Sequence, residues 1–329
     1  MDQTTPVSND TNSRPVSNGV NENYELAIIG GGPAGAAAAV YAARKRIKTI
    51  QIVSEWGGQS TVSTDIQNWI GTTSISGADL AKNLRLHTEA YKGEYLRILS
   101  PMVATSLAPQ NDFVDVTVKN GEVYRVKAVI VASGANRRKL DIPGAAEFDQ
   151  KGLTYCASCD GPLFADQDVA VIGGGNAAFE TVLQLLAYCK SVVLLNRSET
   201  LRADEVTVAA ASANPKLRIV KNAEPVSIDG GPFVTTLKYK NVGSGSEILI
   251  PVTGVFVEIG LLPNTEWLGT ALEMTPVKQV KVDPRTQRTS HPRVWAAGDC
   301  SDVLYHQNNI SAGDAVKALE DVYMFLRRN

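Results

Sequence analysis

The sequence is poor in the residues and segments that build metal centres, membrane spans and polyanion-binding surfaces. It has three histidines and four cysteines among 329 residues, and its longest apolar run covers only residues 36–43. A bilayer span needs roughly 20 apolar residues. The formal net charge is -2, and no run of basic residues is longer than the three at 44–46 and at 137–139. These absences argue against a membrane protein, a nucleic-acid binder and a membrane-surface binder.

The first 23 residues lack the features of an export signal. They are rich in Asn, Ser and Thr, contain one Arg and have no apolar core, so they do not match a secretory or transit peptide. We predict a disordered polar tail over residues 1–23. Because the chain has no export signal and few cysteines, we expect a cytoplasmic location.

Two of the four cysteines form a Cys-x-x-Cys pair, Cys156 and Cys159, which is followed by Asp160. Such a pair can close into a small disulfide loop, and its exposed thiol is reactive where the surroundings lower its pKa. The alternative is half a zinc site, which needs a second pair of ligands. Cys189 and Cys300 stand alone, and the histidines form no pair. We therefore predict a redox disulfide with Asp160 as proton donor, and a buried structural thiol at Cys189.

A glycine-rich turn follows the first predicted strand, at residues 24–29, and precedes an alanine-rich helix. This strand, turn and helix order is the context that a dinucleotide-binding fingerprint requires. Gly30 allows the tight turn, Gly32 lets a pyrophosphate approach the backbone, and Gly35 lets the helix pack on the strand. Glu55 ends the next strand about 20 residues later, where a carboxylate can bind a ribose hydroxyl.

A second unit repeats this layout with a strand at 169–172, a glycine loop at 173–178, a helix, and a strand at 192–195. Two such units predict two bound dinucleotides. Later apolar strands close on glycine and extend the first unit, which indicates crossovers near residues 138–143 and 258–264. The predicted fold class is α/β, with two Rossmann-like dinucleotide-binding domains of three-layer ββα form, the second inserted into the first.

Several longer strings resemble one family. They are Gly-Gly-Gln at 57–59, Ile-Gln-Asn-Trp at 66–69, Gly-Leu-Thr-Tyr-Cys-Ala-Ser-Cys-Asp-Gly-Pro-Leu-Phe at 152–164, Gly-Leu-Leu-Pro-Asn-Thr at 260–265 and Ala-Gly-Asp-Cys at 297–300. From residue 24 to 327 the chain resembles the low-molecular-weight thioredoxin reductases, which are class II pyridine nucleotide-disulfide oxidoreductases. It is also similar to the reductase portion of the alkyl hydroperoxide reductase flavoprotein.

The resemblance implies a discontinuous FAD-binding domain at 24–140 and 264–329, and an NAD(P)H-binding domain at 141–263 that carries the dithiol. The FAD contacts that it implies are Gly30, Gly32, Ala34, Gly35, Glu55, Gly58, Gln59, Asn68, Gly134, Asp299 and Gln307. The NADPH contacts are Gly173, Gly175, Asn176, Ala177, Arg197, Arg202, Ile259 and Gly260. Simpler interpretations stay open: Gln59 and Asn68 as turn residues, and Asp299 as the cap of the last helix.

Two positions depart from the family pattern. The family's nicotinamide-phosphate signature is His-Arg-Arg followed by a further Arg, whereas this chain has Asn196 and keeps only Arg197 and Arg202. Guanidinium groups suit a 2′-phosphate, and an NADH site has an acidic residue at this strand end. We therefore favour NADPH. The alternative is that Arg197 and Arg202 are plain surface charges, and Glu199 lies between them. His306 stands where many members have Arg; it could contact the flavin or lie on the surface, and it is left out of the catalytic set.

The resemblance implies a function in which electrons pass from NADPH through FAD and the Cys156/Cys159 disulfide to a thioredoxin-like or glutaredoxin-like protein. In the family, Cys159 is nearer the flavin, Cys156 attacks the partner disulfide, and the inserted domain rotates between two orientations. The peroxide reductase flavoprotein carries thioredoxin-like domains before this region, where this chain has a polar tail, so we expect a separate partner. The resemblance also implies a homodimer. The alternatives are a ferredoxin-linked reductase, an FAD-dependent dithiol oxidase, and a redox-responsive FAD-binding protein without turnover.

Overall fold

The computed structural model describes residues 20–63 and 65–328, which form helices, parallel sheets and antiparallel sheets. The α-helices are α1 (Pro33–Arg44), α2 (Gly77–Glu89), α3 (Ala157–Asp160), α4 (Asn176–Leu186), α5 (Glu205–Ser212) and α6 (Asn308–Arg328). The strands are β1 (Leu26–Gly31), β2 (Thr49–Trp56), β3 (Leu96–Leu99), β4 (Ala104–Pro109), β5 (Val114–Val118), β6 (Val123–Val126), β7 (Ala128–Val131), β8 (Ala135–Arg137), β9 (Leu153–Thr154), β10 (Asp168–Ile172), β11 (Ser191–Leu195), β12 (Leu217–Val220), β13 (Ala223–Gly230), β14 (Val234–Asn241), β15 (Glu247–Pro251), β16 (Gly254–Val257), β17 (Leu261–Pro263) and β18 (Val294–Ala296). Short 3₁₀ turns cover Gly58–Val62, Gly161–Phe164 and Glu266–Leu268.

The first parallel sheet has the strand order β18, β7, β1, β2, β3. Its edge strand β18 comes from the C-terminal part of the chain and pairs in parallel with β7, so that Trp295 lies opposite Ile130. The chain therefore leaves this sheet after β7, builds a second sheet, and returns. This topology confirms the predicted insertion, whereas the exact domain limits stay a prediction.

Three layers form around the first sheet because successive side chains of a strand point to opposite faces. Leu26 and Ile28 pack against α1 and α6 on one face. Ala27 and Ile29 pack on the other face against the antiparallel sheet of β4, β5 and β6. The alanines of α1 leave room for close contact with the strand. The helix begins with Pro33, whose fixed backbone suits a first turn.

The second parallel sheet, with the order β12, β11, β10, β16, β9, repeats this construction. Val169 and Val171 pack against α4, and Ala170 and Ile172 face the antiparallel sheet of β13, β14 and β15. Both units are thus three-layer ββα assemblies, as predicted. The strand order reverses between β10 and β16, and ligands of open parallel sheets bind at such a point, outside the carboxyl ends of the strands.

A two-stranded antiparallel ribbon of β8 and β17 connects the two units. Its register places Arg137 opposite Leu261 and Ala135 opposite Pro263. The Arg138 N–H also donates to the Gly260 carbonyl oxygen, at 3.0 Å. The ribbon thus joins the two predicted crossover segments to each other.

Residues 1–19 of the predicted tail lie outside the described part of the chain. Just after them, the Asn21 N–H donates to the Val123 carbonyl oxygen at 2.8 Å, and the Arg125 N–H donates to the Asn21 carbonyl oxygen at 2.9 Å. Asn21 therefore pairs with the edge of β6, which the prediction of a tail up to residue 23 did not include. None of the helices in the described residues combines the length and hydrophobicity needed to cross a bilayer.

Candidate functional site

A cleft of about 810 Å³ opens at the carboxyl ends of the first sheet. Its floor is the glycine turn after β1, and its walls come from the ends of β2 and β7, the turn after β18, and the segment before α6. The Cys156–Cys159 segment of the second unit closes the opposite side. The fold therefore brings the first glycine fingerprint and the dithiol to one cavity.

Most of the residues predicted to contact FAD line this cleft. They are Gly30, Gly32, Ala34, Glu55, Gly58, Gln59, Asn68, Gly134, Asp299 and Gln307. Gly35 is not part of the lining. A Cβ on Gly35 would lie 2.2 Å from the Gly30 carbonyl oxygen, so this glycine serves the contact between α1 and β1, as its place in the fingerprint predicts.

The shape of the cleft fits a dinucleotide cofactor. A Cβ on Gly32 would meet only the backbone of Gly58, at 4.0 Å, and a Cβ on Gly134 would meet nothing within 4 Å. These glycines thus leave bare backbone facing the space where a cofactor would lie. The first turn of α1 presents free N–H groups there, which favour a pyrophosphate. Gln59 Nε2 donates to Asp299 Oδ2 at 3.0 Å and fixes that carboxylate at the cleft wall.

The two cysteines of the motif form a disulfide at the start of α3, with their Cα atoms 5.3 Å apart. Both line the cleft. The Asn68 amide spans the gap between the units, because its Nδ2 donates to the Ser158 carbonyl oxygen at 3.4 Å and to Gln307 Oε1 at 3.3 Å. The structure is therefore in an orientation that turns the disulfide towards the first sheet.

Asp160 is buried directly beside the disulfide, with 8% of its surface exposed. Burial raises the pKa of its carboxyl, while a hydrogen bond from the Thr154 hydroxyl and the charge of Arg137 oppose the rise. A raised pKa keeps more of this group protonated near neutral pH. The arrangement suits the predicted proton donor. Thr154 and Arg137 were not among the predicted site residues.

His306, which the sequence left between two interpretations, lines the cleft. Its Nδ1 lies 3.3 Å from Asp299 Oδ1, and the Ser311 hydroxyl donates to the same oxygen at 3.4 Å. His306 is therefore a neighbour of a predicted FAD contact. Asp299 lies well before the first residue of α6, so its place is in the cleft wall and not at the helix cap.

The second glycine loop lies at the carboxyl edge of the second sheet and is not part of the lining of the first cleft. A Cβ on Gly173 would lie 2.4 Å from the Glu258 carbonyl oxygen, whereas a Cβ on Gly175 would meet nothing within 4 Å. Gly175 immediately precedes α4, and Asn176 and Ala177 form the first turn of that helix. This is the open loop and helix N-terminus that a pyrophosphate requires. Ile259 and Gly260 follow β16 at the same edge.

The two arginines of the weakened phosphate signature, Arg197 and Arg202, are exposed in the loop after β11. The Arg202 N–H donates to the Gly174 carbonyl oxygen at 2.7 Å, which holds this loop against the glycine turn. Glu199 pairs with Lys221 at 3.0 Å and accepts a hydrogen bond from Asn222 at 2.9 Å. Glu199 is thus engaged by the two residues that follow β12.

Neither of the two remaining cysteines lines the cleft. Cys189 and Cys300 are both buried free thiols, and burial raises the pKa of Cys189 to about 11. The prediction of a buried structural thiol at Cys189 is confirmed. Among residues 20–63 and 65–328, no cluster of His, Cys, Asp and Glu is arranged to hold a metal ion.

Comparison with known proteins places these features in context. Residues 24–318 match the family model described as pyridine nucleotide-disulphide oxidoreductase. A protein named NADH dehydrogenase from Bacillus subtilis is 38% identical over 94% of this chain, and a subunit of alkyl hydroperoxide reductase from Staphylococcus aureus is 36% identical over the same share. In both cases the chain spans 60% of the relative's length.

Solved structures match the chain over nearly its whole length. Thioredoxin reductase from Giardia duodenalis has a TM-score of 0.88 at 30% identity, with 93% of this chain and 100% of that chain covered. A Lactococcus lactis thioredoxin reductase, described as an FR conformation, covers the same shares at 31% identity, but its TM-score is 0.62. The two solved structures thus have similar identity to this chain but different TM-scores.

Proposed function

Because this chain belongs to the pyridine nucleotide-disulphide oxidoreductase family, we propose that it is a flavoprotein disulfide reductase that passes electrons from NADPH to a thioredoxin-like protein. One observation carries the proposal: the Cys156–Cys159 disulfide lines the same cleft as the first glycine fingerprint. A redox disulfide beside a dinucleotide site serves electron transfer. A purely structural disulfide would not need to lie beside such a site.

FAD would be held by the cleft residues named above. Gly32 and the first turn of α1 would receive the pyrophosphate, Glu55 would accept from a ribose hydroxyl, and Asp299 would contact the ribityl chain. When bound, this cofactor supplies two-electron transfer between a nicotinamide and a disulfide. The chain's own contribution is to bind it, to exclude water and to bring the disulfide to it.

The protein's cysteines carry the exchange with the partner. In the reduced enzyme the Cys156 thiolate attacks one sulfur of the partner disulfide and forms a mixed disulfide, and the released partner thiolate takes a proton from Asp160. The Cys159 sulfur then attacks Cys156, which releases the second partner thiol and restores the internal disulfide. The partner is thereby reduced by two electrons and the enzyme is oxidised by two. Asp160 suits its task because burial raises its pKa.

The nicotinamide must reach the cleft from the second unit in a different orientation. The dithiol and the second glycine loop belong to the same unit, but only the dithiol lines the cleft in this structure. We propose rotation of residues 141–263 relative to residues 24–140 and 264–329, with hinges at 138–143 and 258–264. The lower TM-score of the Lactococcus lactis structure at similar identity supports two arrangements of the same parts.

NADPH is the proposed electron donor because two exposed arginines lie beside the second glycine loop while Glu199 is paired with Lys221. An exposed guanidinium can bind two oxygens of a 2′-phosphate at once. NADH is the competing donor, since one relative carries the name NADH dehydrogenase.

We also propose the electron acceptor, the cellular compartment and the oligomeric state. Relatives named as thioredoxin reductases and as part of alkyl hydroperoxide reductase favour a small protein disulfide of the thioredoxin or glutaredoxin class as the acceptor. A dithiol that cycles between states works in a reducing compartment, which favours the cytoplasm. A homodimer is expected by analogy with the family.

The test is an anaerobic titration of the FAD-loaded protein with NADPH, followed by a steady-state assay with thioredoxin and insulin. The wild type should bleach and reduce insulin. Cys159→Ser should bleach but lose disulfide turnover, while Cys189→Ser, a change at a buried cysteine, should keep it. A flavin that stays yellow with NADPH and NADH would favour a ferredoxin-linked enzyme or a dithiol oxidase. Retained turnover in Cys159→Ser would refute the mechanism.

A further inference from the structure

A buried carboxylate that the proposed mechanism does not use lies at the nucleotide edge of the second sheet. Glu258 directly follows β16, and a Cβ on Gly173 would touch its carbonyl oxygen. It thus lies between β10 and β16, where the strand order reverses and a nucleotide is expected to bind. The Glu258 side chain is only 10% exposed, and the Thr181 hydroxyl of α4 donates to its Oε1 at 2.9 Å.

The cation that faces this carboxylate comes from the other side of the crossover. Arg137 is the last residue of β8, and its Nη1 lies 3.5 Å from Glu258 Oε2. Arg137 also lines the cleft that holds the disulfide, and its charge acts on Asp160 as well. One guanidinium therefore lies between the carboxyl group beside the dithiol and the carboxyl group beside the second glycine loop.

We propose that the Arg137–Glu258 ion pair is a latch that stabilises the disulfide-facing orientation. A pyridine nucleotide binds in the nicotinamide-facing orientation, in which this ion pair is broken, so the ion pair and the bound nucleotide exclude one another. The inference rests on the proposed function, because it assumes that the crevice beside Glu258 takes a nucleotide. It concerns a different step, namely the change of orientation that precedes hydride transfer.

Geometry explains why the two states compete. Arg137 directly precedes one proposed hinge and Glu258 begins the other, so a rotation of one unit relative to the other would separate the two side chains. A nucleotide that binds better in the rotated state requires the ion pair to be broken. Its apparent affinity is therefore its affinity for the rotated state multiplied by the fraction of molecules already rotated. Removing the pair should raise that fraction and tighten binding.

Charge makes this latch sensitive to pH. Burial raises the pKa of Glu258 to about 7; Arg137 on β8 and the Thr181 hydroxyl on α4 oppose the rise, and Glu180 on α4 adds to it. Above that pKa the carboxylate is ionised and pairs with Arg137. Below it, Glu258 is neutral and the pair is lost. The latch should therefore hold at pH 8 and release at pH 6.

The first experiment measures the dissociation constant of NADP⁺ for the FAD-loaded protein by calorimetry. Arg137→Met should bind NADP⁺ about fivefold more tightly than the wild type at pH 8, and less than about twofold more tightly at pH 6. Glu258→Gln should also bind more tightly at pH 8, and the double variant should add little to either change. Arg85→Met removes one guanidinium from an exposed pair on α2 and should leave the constant unchanged.

A second measurement needs no nucleotide. After reduction with dithiothreitol, Cys156 and Cys159 are alkylated by iodoacetamide and followed by mass spectrometry, while the buried Cys189 and Cys300 stay unmodified. Loss of the latch should expose the dithiol more often, so Arg137→Met and Glu258→Gln should each react several-fold faster than the wild type and Arg85→Met at pH 8.

The outcomes separate the two ideas. Unchanged alkylation in both latch variants, weaker NADP⁺ binding by Arg137→Met, or equal ratios at pH 6 and pH 8 would overturn the latch. If no variant binds NADP⁺ and NADPH does not bleach the flavin, the proposed electron donor is wrong. The alkylation rates then still decide whether the ion pair holds the orientation.

Discussion

The Thr154 hydroxyl donates a hydrogen bond to the Asp160 carboxylate, and both residues are buried next to the Cys156–Cys159 disulfide. Thr154 Oγ1 also accepts from the Cys156 N–H at 3.3 Å. One hydroxyl group therefore connects the proposed proton donor to the backbone of the proposed attacking cysteine. Its effect on Asp160 can be measured.

Replacing Thr154 with Val should raise the pKa of Asp160, because the lost hydrogen bond favours the ionised form. The acid form is the one that donates a proton, so the alkaline limb of the pH profile for disulfide turnover should move to higher pH. Thr154→Ser keeps a hydroxyl and should leave the limb near its wild-type place. An identical limb in Thr154→Val would exclude Asp160 as the titrating acid.

Two glycines of the first fingerprint should respond differently to an added methyl group. Gly32→Ala projects into the open cleft, so we expect FAD affinity to fall about tenfold with little change in the stability of the protein without flavin. Gly35→Ala meets the Gly30 carbonyl at 2.2 Å and should lower the melting temperature by roughly 3–10 °C. Flavin fluorescence titration and thermal unfolding measure both; the opposite pattern would mean that the roles are reversed.

Coenzyme choice should depend on the two arginines after β11. Arg197→Met and Arg202→Met should each reduce the ratio of kcat/KM for NADPH over NADH by about tenfold, since a charge-assisted hydrogen bond to phosphate is lost. Arg218→Met changes an exposed arginine on β12 instead. It should keep the wild-type ratio. Equal losses for both coenzymes would show that the arginines do not select the 2′-phosphate.

Glu258 should make stability depend on pH in the direction opposite to a usual carboxylate. Its pKa is raised from 4.5 to about 7, so the native state keeps a proton that the unfolded chain has lost. The free energy of unfolding should therefore fall between pH 4.5 and pH 7, by at most about 3 kcal/mol. Urea unfolding of Glu258→Gln should lack this decline, and Glu247→Gln, at an exposed pair, should retain it. Parallel wild-type and Glu258→Gln profiles would contradict the raised pKa.

The sequence predicted the parts of the site that depend on neighbouring residues. Gly30, Gly32 and Gly35 occupy their expected places because a strand, a turn and a helix are local events that need glycine at fixed offsets. The Cys156–Cys159 disulfide follows from the spacing of the two cysteines and from the lack of a second ligand pair for zinc. The resemblance to thioredoxin reductases is confirmed by the family match and the solved structures, while the individual cofactor contacts stay predictions.

Contacts between distant segments could not be predicted in the same way. Arg137 and Glu258 meet because β8 pairs with β17, and nothing in either local sequence specifies that pairing. His306 reaches Asp299 only through the turn that precedes α6. Thr154 offered a weak signal for a site residue, because it is a polar residue close to the dithiol motif. Its hydrogen bond to Asp160 depends on the bend of the chain through the disulfide.

The pairing of β18 with β7 has a consequence for how the protein is made. Because chains emerge from the ribosome from the N-terminus and fold in units, β7 is synthesised long before the strand that covers its edge. The second sheet can form completely while the first sheet still lacks its last strand, β18. The inserted second unit is thus complete before the first unit. Until β18 is made, the exposed edge of β7 is the place where a nascent chain would bind a chaperone or a second nascent copy.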